Sequence, residues 1–558
     1  MTNAAAIAET VATRDSAIVE IEGLEVGYRR EGTVEPAVRD VALRVRRGEI
    51  VALVGESGSG KTTTALAVIG LLPDRAQITG GSVRVAGTEL VGAGEKALRP
   101  LRGATVGLIP QDPMVGLNPT QRIGKQVAEA VKLRGLRGPE LHAEVLDTLH
   151  QAGLDEPERH LHRYPHELSG GQRQRVLIAI ALAGKPDLII ADEPTSALDV
   201  TVQARILDHL ESLVRGSGTA LLIITHDLAV AADRADRVVV MRRGRIVEEG
   251  TPAAILIDPE HPYTRGLIAA APALAHGGGV EPRFTLRPDE VEVAEPILEL
   301  VAVSKEFRSA RGTPGPHTTL ALDNVSIRVA AGRTHALVGE SGSGKTTTLR
   351  IAMSLTKPTT GTVRFDGTDL TGLSWRRLRP LRRRFQLVHQ NPFASLDPRF
   401  TVGDSIVEPL VSFGIGDRRS RRARALELLD QVALPRTFLD RRPAELSGGQ
   451  RQRVAIGRAL ALEPEVVLLD EPVSALDVSV QQQILTLLAD LQQRLGLSYV
   501  FVSHDLAVVG QLAHTVSVFE RGRVIESGPA AEVFRNPAHE YTQRLLAAIP
   551  GRRATAPR

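Results

Sequence analysis

The chain has 558 residues, enough for more than one domain, and its 42% apolar and 24% charged fractions suit soluble globular cores. A net charge of +3 supplies no global basic field for nucleic acid or anionic membrane, and the lack of cysteine excludes disulfides, thiolate metal sites, iron–sulfur clusters and cysteine nucleophiles. The N-terminus, with Glu9 and Asp15 and no basic leader, does not read as a signal peptide. No uncharged apolar run approaches the ~18 residues of a membrane span, and the longest, 176–184, suits a buried helix.

In chain order, residues 1–17 read as a loose tail and 18–272 as a first unit. That unit opens on a segment of alternating pattern, with Ile18, Glu20, Glu22, Leu24 and Val26 at every second place, which suits a strand. The apolar run Val51, Ala52, Leu53, Val54 predicts a strand leading into GESGSGKT at 55–62. Ala65, Leu66, Ile69 and Leu72 then keep helical spacing. A helix-rich stretch over roughly 120–165 precedes LSGGQ at 168–172. Short aliphatic runs over 188–191 and 221–225 predict strands of a mostly parallel sheet. Residues 273–295, rich in Gly, Pro and acids, read as a linker. A second unit, 296–550, repeats the first: GESGSGKT recurs letter for letter at 339–346, LSGGQ at 446–450, and ADEP and ITHD return as LDEP and VSHD. Its helix-rich stretch spans roughly 402–445, with helical spacing over 423–434, and its strands fall at 466–469 and 499–503. Residues 551–558 read as a frayed tail. Such a long repeat is a duplicated domain, not a solenoid.

Strand, glycine loop and helix together make the pattern G-x-x-x-x-G-K-[ST] a phosphate site. The backbone N–H groups of Gly55, Glu56, Ser57, Gly58, Ser59 and Gly60, and of Gly339, Glu340, Ser341, Gly342, Ser343 and Gly344, wrap an anion at the positive end of a helix. Lys61 and Lys345 can reach terminal phosphates, and Thr62 and Thr346 can place a hydroxyl on Mg²⁺, with Thr63 and Thr347 beside them. Asp192 and Asp470 end apolar strands and suit Mg²⁺; Glu193 and Glu471 follow at once, placed to orient or activate a water. Gln111 and Gln390 can touch Mg²⁺ or that water, and His226 and His504 can hydrogen-bond a γ-phosphate. Tyr28 and Phe307, in matching places, can stack on a purine. Ser169, Gly170, Gly171 and Gln172, with Ser447, Gly448, Gly449 and Gln450, form a second anion cradle at a helix start. Two cradles per unit invite a head-to-tail pair, each nucleotide lying between one unit's glycine loop and the other's SGG.

This ordered set resembles the ATP-binding-cassette (ABC) ATPases over nearly the whole chain, twice. The resemblance implies an α/β fold of two tandem P-loop ABC nucleotide-binding domains, each with a mostly parallel sheet core, an antiparallel β subdomain and a helical subdomain. It implies ATP and Mg²⁺ as cofactors, adenine stacking on Tyr28 and Phe307, and Mg²⁺ on Thr62, Gln111 and Asp192 and on Thr346, Gln390 and Asp470. Glu193 and Glu471 become catalytic, His226 and His504 switch histidines, and Asp199 and Asp477 contacts to the opposite site. Neither half departs from the pattern at a catalytic position, although Thr195 is replaced by Val473. The tails DPEHPYTRGLIAAAP (258–272) and NPAHEYTQRLLAAIP (536–550) resemble the dipeptide/oligopeptide/nickel importers. That likeness implies a peripheral subunit on the cytoplasmic face of the membrane. Its expected partners are two integral-membrane permeases and an extracytoplasmic solute-binding protein, with no nucleic acid and no metal cluster. The alternatives are a tandem cassette acting on ribosomes, against which the short Gly/Pro-rich linker speaks, and a DNA-repair cassette ATPase, against which the absence of cysteines and sustained heptads speaks. Two arginine runs, over 376–384 and 418–424, read as solvated faces, with lipid headgroups or a permease loop as the alternatives they could meet.

Overall fold

A computed structural model describes residues 16–30, 32–195, 198–275, 280–284, 295–308, 318–474 and 476–555. The tail 1–15, much of the linker (276–279 and 285–294) and the end 556–558 lie outside the described residues. The chain folds as two units. The first holds the described residues up to 198, 202–275 and 550–555, and the second holds 199–201, 280–284 and 295–549.

The first unit has strands β1 (Ala17–Arg30), β2 (Thr33–Arg46), β3 (Ile50–Val54), β4 (Ala76–Val85), β5 (Thr88–Glu89), β6 (Val106–Ile109), β7 (Leu188–Asp192), β8 (Ala220–Thr225), β9 (Arg237–Arg242) and β10 (Arg245–Gly250). They form a four-stranded sheet, β2-β1-β4-β5, and a six-stranded sheet, β10-β9-β3-β8-β7-β6. The first sheet is antiparallel; the second is parallel except for the hairpin partner β10. All five residues of β3 are buried, as expected of a parallel strand covered on both faces. In β1 the alternation is not clean. The register shifts between Ile21 and Leu24, around Gly23 at φ 59, so Val19 and Ile21 and then Leu24 and Val26 all reach the core across a bulge. One apolar cluster joins both sheets to helix Lys61–Val68, through Ile21, Val83, Leu53, Ile190, Leu222 and Val68. Each such side chain stabilises the unit by roughly 1.5–3 kcal/mol when fully buried, and together they fix the helix whose first residue is Lys61.

The second unit repeats the plan with β11 (Pro296–Arg308), β12 (Thr318–Ala330), β13 (Thr334–Val338), β14 (Thr360–Phe365), β15 (Thr368–Asp369), β16 (Phe385–Val388), β17 (Val466–Asp470), β18 (Ser498–Val502), β19 (Thr515–Glu520) and β20 (Arg523–Pro529). Their orders are β12-β11-β14-β15 and β16-β17-β18-β13-β19-β20. Between β6 and β7, and between β16 and β17, lie the expected helical stretches. They contain helices Ile123–Val131 and Gly138–Gln151 in the first unit and Val402–Phe413 and Arg418–Gln431 in the second.

Two expectations change in detail. Of the stretch read as frayed, the described residues 551–555 contain helix Arg552–Thr555 and count with the first unit. The start of the linker range is helical, in helix Pro272–Ala275, which begins at the last residue of the first unit. Residues 280–284 pack on the second unit: the Arg283 N–H donates to the Gly510 carbonyl (2.8 Å) and Phe284 stacks on His514 (centroids 3.9 Å). Composition marked the stretch as a tether but could not show which residues find a surface. Among the described residues no helix is long and apolar enough to cross a membrane.

Candidate functional site

The carboxyl ends of β3, β6, β7 and β8, where ligands bind in open α/β sheets, carry the glycine loop with Lys61 and Thr62, then Gln111, Asp192, Glu193 and His226. After Val54 the chain turns through the glycine loop into helix Lys61–Val68. Gly60 sits at φ 103, where a Cβ would lie 2.8 Å from the Ala37 carbonyl oxygen, and a Cβ on Gly55 would lie 2.2 Å from that of Met241. Only glycine meets both demands, so the loop is pressed against the sheet. The buried Lys61 ammonium donates back to the loop, to the carbonyls of Gly55 (2.6 Å) and Glu56 (2.9 Å). Lys345 does the same to Gly339 (2.7 Å) and Glu340 (2.8 Å), and burial holds its pKa below the usual lysine value. Each lysine curls over the cradle, a pose from which its ammonium can swing to a phosphate.

The Thr62 hydroxyl donates to Asp192 Oδ1 at 3.2 Å, and Thr346 to Asp470 Oδ1 at 3.4 Å. Burial, with the neighbouring glutamate charge, raises the pKa of both aspartates. A hydroxyl beside a carboxylate that burial leaves short of countercharge is a hard-oxygen donor set of the kind Mg²⁺ takes, so the residues present fit that ion.

Glu193 and Glu471 occupy the left-handed region, at φ 44 and 45, uncommon for a non-glycine residue. Each is pinned there by its own N–H, which donates to the Ile224 carbonyl (2.9 Å) or the Val502 carbonyl (3.0 Å) at the end of the adjacent strand. Strain of this kind persists only where the surroundings over-determine it. The Glu193 carboxylate accepts from Gln111 Nε2 (3.0 Å) and meets His226 Nδ1 (3.1 Å). Glu471 accepts from Gln390 Nε2 (2.9 Å) and meets His504 Nδ1 (3.3 Å). Burial alone would raise both glutamates; the histidine hydrogen bond and charge, with the lysine charge, outweigh it and hold both below the usual carboxylate value. Burial likewise pushes His504 down, but the bond to Glu471 wins and favours its charged form. The structure thus brings Gln111, Glu193 and His226 into one hydrogen-bonded set beside Thr62 and Asp192, and repeats it with Gln390, Glu471 and His504.

Tyr28 lies part-buried on β1, its hydroxyl hydrogen-bonded with that of Thr63 (3.1 Å). Phe307 is 46% exposed, with Lys305 Nζ 5.1 Å from its ring centroid. Ser169 caps helix Gly170–Leu182 in a reciprocal box: its hydroxyl accepts from Gln172 N (3.3 Å) and its own N–H donates to Gln172 Oε1 (3.0 Å). Ser447 and Gln450 repeat this box. None of these cap hydrogen bonds reaches the glycine loop of its own unit. A Cβ on Gly171 would lie 2.8 Å from Val202 Cγ1, and on Gly449 2.4 Å from Val480 Cγ1, so the second glycine lets the helix start pack close to the next helix. Thr195 and Val473, the one difference noted between the halves, are both buried, which makes the swap a packing change.

Sequence reasoning missed Tyr263 and Tyr541. Their hydroxyls accept from the backbone N–H of Glu56 and Glu340 in the glycine loops, both at 3.0 Å. The signal was present, since HPYT and HEYT stand at matching places in the two tails, but nothing local shows that they reach back to the loops.

The family profile described as ABC transporter matches residues 38–196 and 322–474. One described as oligopeptide/dipeptide transporter, C-terminal region, matches 247–294 and 525–557, a range that takes in both tyrosines. The chain is 44% identical to an oligopeptide transport ATP-binding protein of Mycobacterium tuberculosis, over 96% of this chain and 98% of that one. It is 44% identical to a glutathione import ATP-binding protein of Salmonella typhimurium (96% and 89%) and 44% identical to a peptidoglycan transport ATP-binding protein of Agrobacterium fabrum (96% and 97%). A solved dimeric ATP-binding cassette bound to ADP and Pi is 29% identical over 42% of this chain and 98% of its own, with a TM-score of 0.39. The matched profiles cover both halves and both tails, and the chain therefore belongs to the ABC transporter family as a tandem ATPase of the oligopeptide/dipeptide importer branch.

Proposed function

We propose that each half hydrolyses ATP through its Gln–Glu–His set and that the two halves work as one clamp driving import through separate membrane permeases. The observation that carries the reading is the doubled constellation: both glutamates are held ionised, each between an amide and an imidazole, next to a Thr–Asp pair. Glycine-loop N–H groups and Lys61 or Lys345 bind the phosphates. Thr62, Gln111 and Asp192, with Thr346, Gln390 and Asp470, would hold Mg²⁺, which when bound offsets phosphate charge. Glu193 or Glu471 orients a water and takes its proton as the water oxygen bonds to the γ-phosphorus and the bond to the β–γ bridging oxygen breaks. His226 or His504 hydrogen-bonds the γ-phosphate and steadies the glutamate.

The SGG cradle of the opposite half completes each pocket in this reading. Charge-assisted hydrogen bonds contribute roughly 1.5–3 kcal/mol each, and moving a two-state equilibrium from 1:99 to 99:1 takes about 5.5 kcal/mol. Two to four bonds made only to a γ-phosphate therefore suffice to close the halves, and hydrolysis removes them. The subunit sits at the inner face of the membrane against two permeases, and a solute-binding protein delivers the cargo. Peptides are the first choice of cargo, since the relatives carry oligopeptide, glutathione and peptidoglycan names. No relative named above is a ribosomal factor. The test is transport and ATPase assay of the assembled complex with Glu193→Gln and Glu471→Gln. ATP binding with no turnover and no peptide uptake is expected; full hydrolysis by the double variant would overturn the assignment.

A further inference from the structure

The two arginine runs converge in the second unit. Arg379, on helix Trp375–Leu381, donates to the Ser412 carbonyl at 2.6 Å and lies over the Phe413 ring (5.0 Å), at the end of helix Val402–Phe413. Arg383 then lines a cleft of about 220 Å³ together with Leu410, Arg421, Arg424, Leu462 and the acid Glu463. Residues 375–384 and 418–424 together hold eleven arginines and no acid. The matching stretches of the first unit, 95–104 and 138–144, hold three basic and three acidic residues. The excess is a property of one half, in a chain whose net charge is only +3.

The fold does not use most of this charge. Arg384 is matched by Glu465 and Asp366, Arg424 by Glu427 and Glu463, and Arg422 faces Asp440 at 3.5 Å. Arg379, Arg382 and Arg421 donate to backbone carbonyls and keep their charge unmatched. Arg376, Arg377, Arg383, Arg418 and Arg419 are exposed and make no side-chain ion pair or hydrogen bond among the described residues. Arg418 and Arg419 open helix Arg418–Gln431, after its cap Asp417. Cations there oppose the helix dipole, so helix stability does not account for them. At the edge of the patch stands Trp375, 62% exposed, with the Arg382 guanidinium 4.6 Å from its ring centroid. An exposed indole among unmatched guanidiniums suits a lipid–water interface, where tryptophan is enriched and basic side chains meet phosphate.

We propose that this face docks on anionic phospholipid headgroups, holding the second half against the membrane independently of the permeases. Trp375 is the only tryptophan, so its emission reports on the patch alone. The full chain is titrated with phosphatidylglycerol/phosphatidylcholine vesicles, pure phosphatidylcholine vesicles and inorganic phosphate, and vesicle binding is measured by sedimentation. A blue shift and sedimentation with the anionic vesicles alone are expected, both weakening as salt rises. An arginine near an anionic surface changes partitioning about fivefold. The variant R376Q/R377Q/R418Q/R419Q should therefore bind at least tenfold more weakly, with ATPase activity and melting temperature unchanged. Equal responses to phosphate and vesicles would assign a free-anion site and overturn the proposal. So would silence towards anionic vesicles combined with loss of permease co-purification in the variant, and so would vesicle binding that the four substitutions leave intact.

Discussion

Removing one hydroxyl tests whether the tail of each unit holds its own glycine loop. Tyr263 is 9% exposed and its ring packs beside Arg242, whose guanidinium is 4.8 Å from the centroid, so Tyr263→Phe keeps the packing and removes the hydroxyl that accepts from the Glu56 N–H. Losing a hydrogen bond from a part-buried donor costs roughly 1–2 kcal/mol. For a unit of this size each kcal/mol lowers the melting temperature by about 2–4 °C, so a fall on the order of 4 °C is expected. The bond also orders the loop before the nucleotide arrives, and losing that order weakens ATP binding by up to about tenfold. The assay is scanning calorimetry plus titration of a fluorescent ATP analogue in a Lys345→Ala background, where only the first loop binds. Wild-type melting and wild-type affinity in Tyr263→Phe would refute the reasoning, because the 3.0 Å contact would then hold nothing.

Three further predictions concern the loop and the glutamate sets. Glu193→Gln with Glu471→Gln should retain ATP binding and lower turnover by at least about 10²-fold, read by phosphate release at saturating ATP. His504→Gln removes the bond and charge that outweigh burial at Glu471. The carboxyl pKa then rises and the ionised form is lost sooner as pH falls, so the acid limb of the ATPase profile in a Glu193→Gln background moves to higher pH; an unmoved limb would count against the pairing. Gly60→Ala places a Cβ 2.8 Å from the Ala37 carbonyl oxygen at φ 103. It should abolish nucleotide binding in the first half while the second still binds, which isothermal titration would show as a halved stoichiometry.

The parallel strands and glycine loops were legible because their signals are local: an apolar run, then glycines, then helical spacing. Asp192 and Glu193 could be placed at a strand end from five buried residues and a D-E-P, but the left-handed turn at Glu193 depends on the Ile224 carbonyl, which no neighbouring residue announces. The bulge at Gly23 escaped because alternation was read without an insertion. Glu56 and Tyr263 meet across 207 residues, and Arg383 and Arg421 line one cleft from segments nearly forty residues apart in the chain; such arrangements leave no periodic trace. The SGG caps show the opposite case, since the Ser–Gln box follows from spacing alone.

The chain's lack of cysteine permits a direct test of the clamp. Ser57 and Ser447 are each replaced by Cys in one chain, the catalytic glutamates are changed to Gln, and a short thiol cross-linker is added with and without ATP. The account predicts an ATP-dependent cross-link within single chains, at monomer mass. Cross-links that ignore ATP, or that form only between two chains at dimer mass, would contradict it.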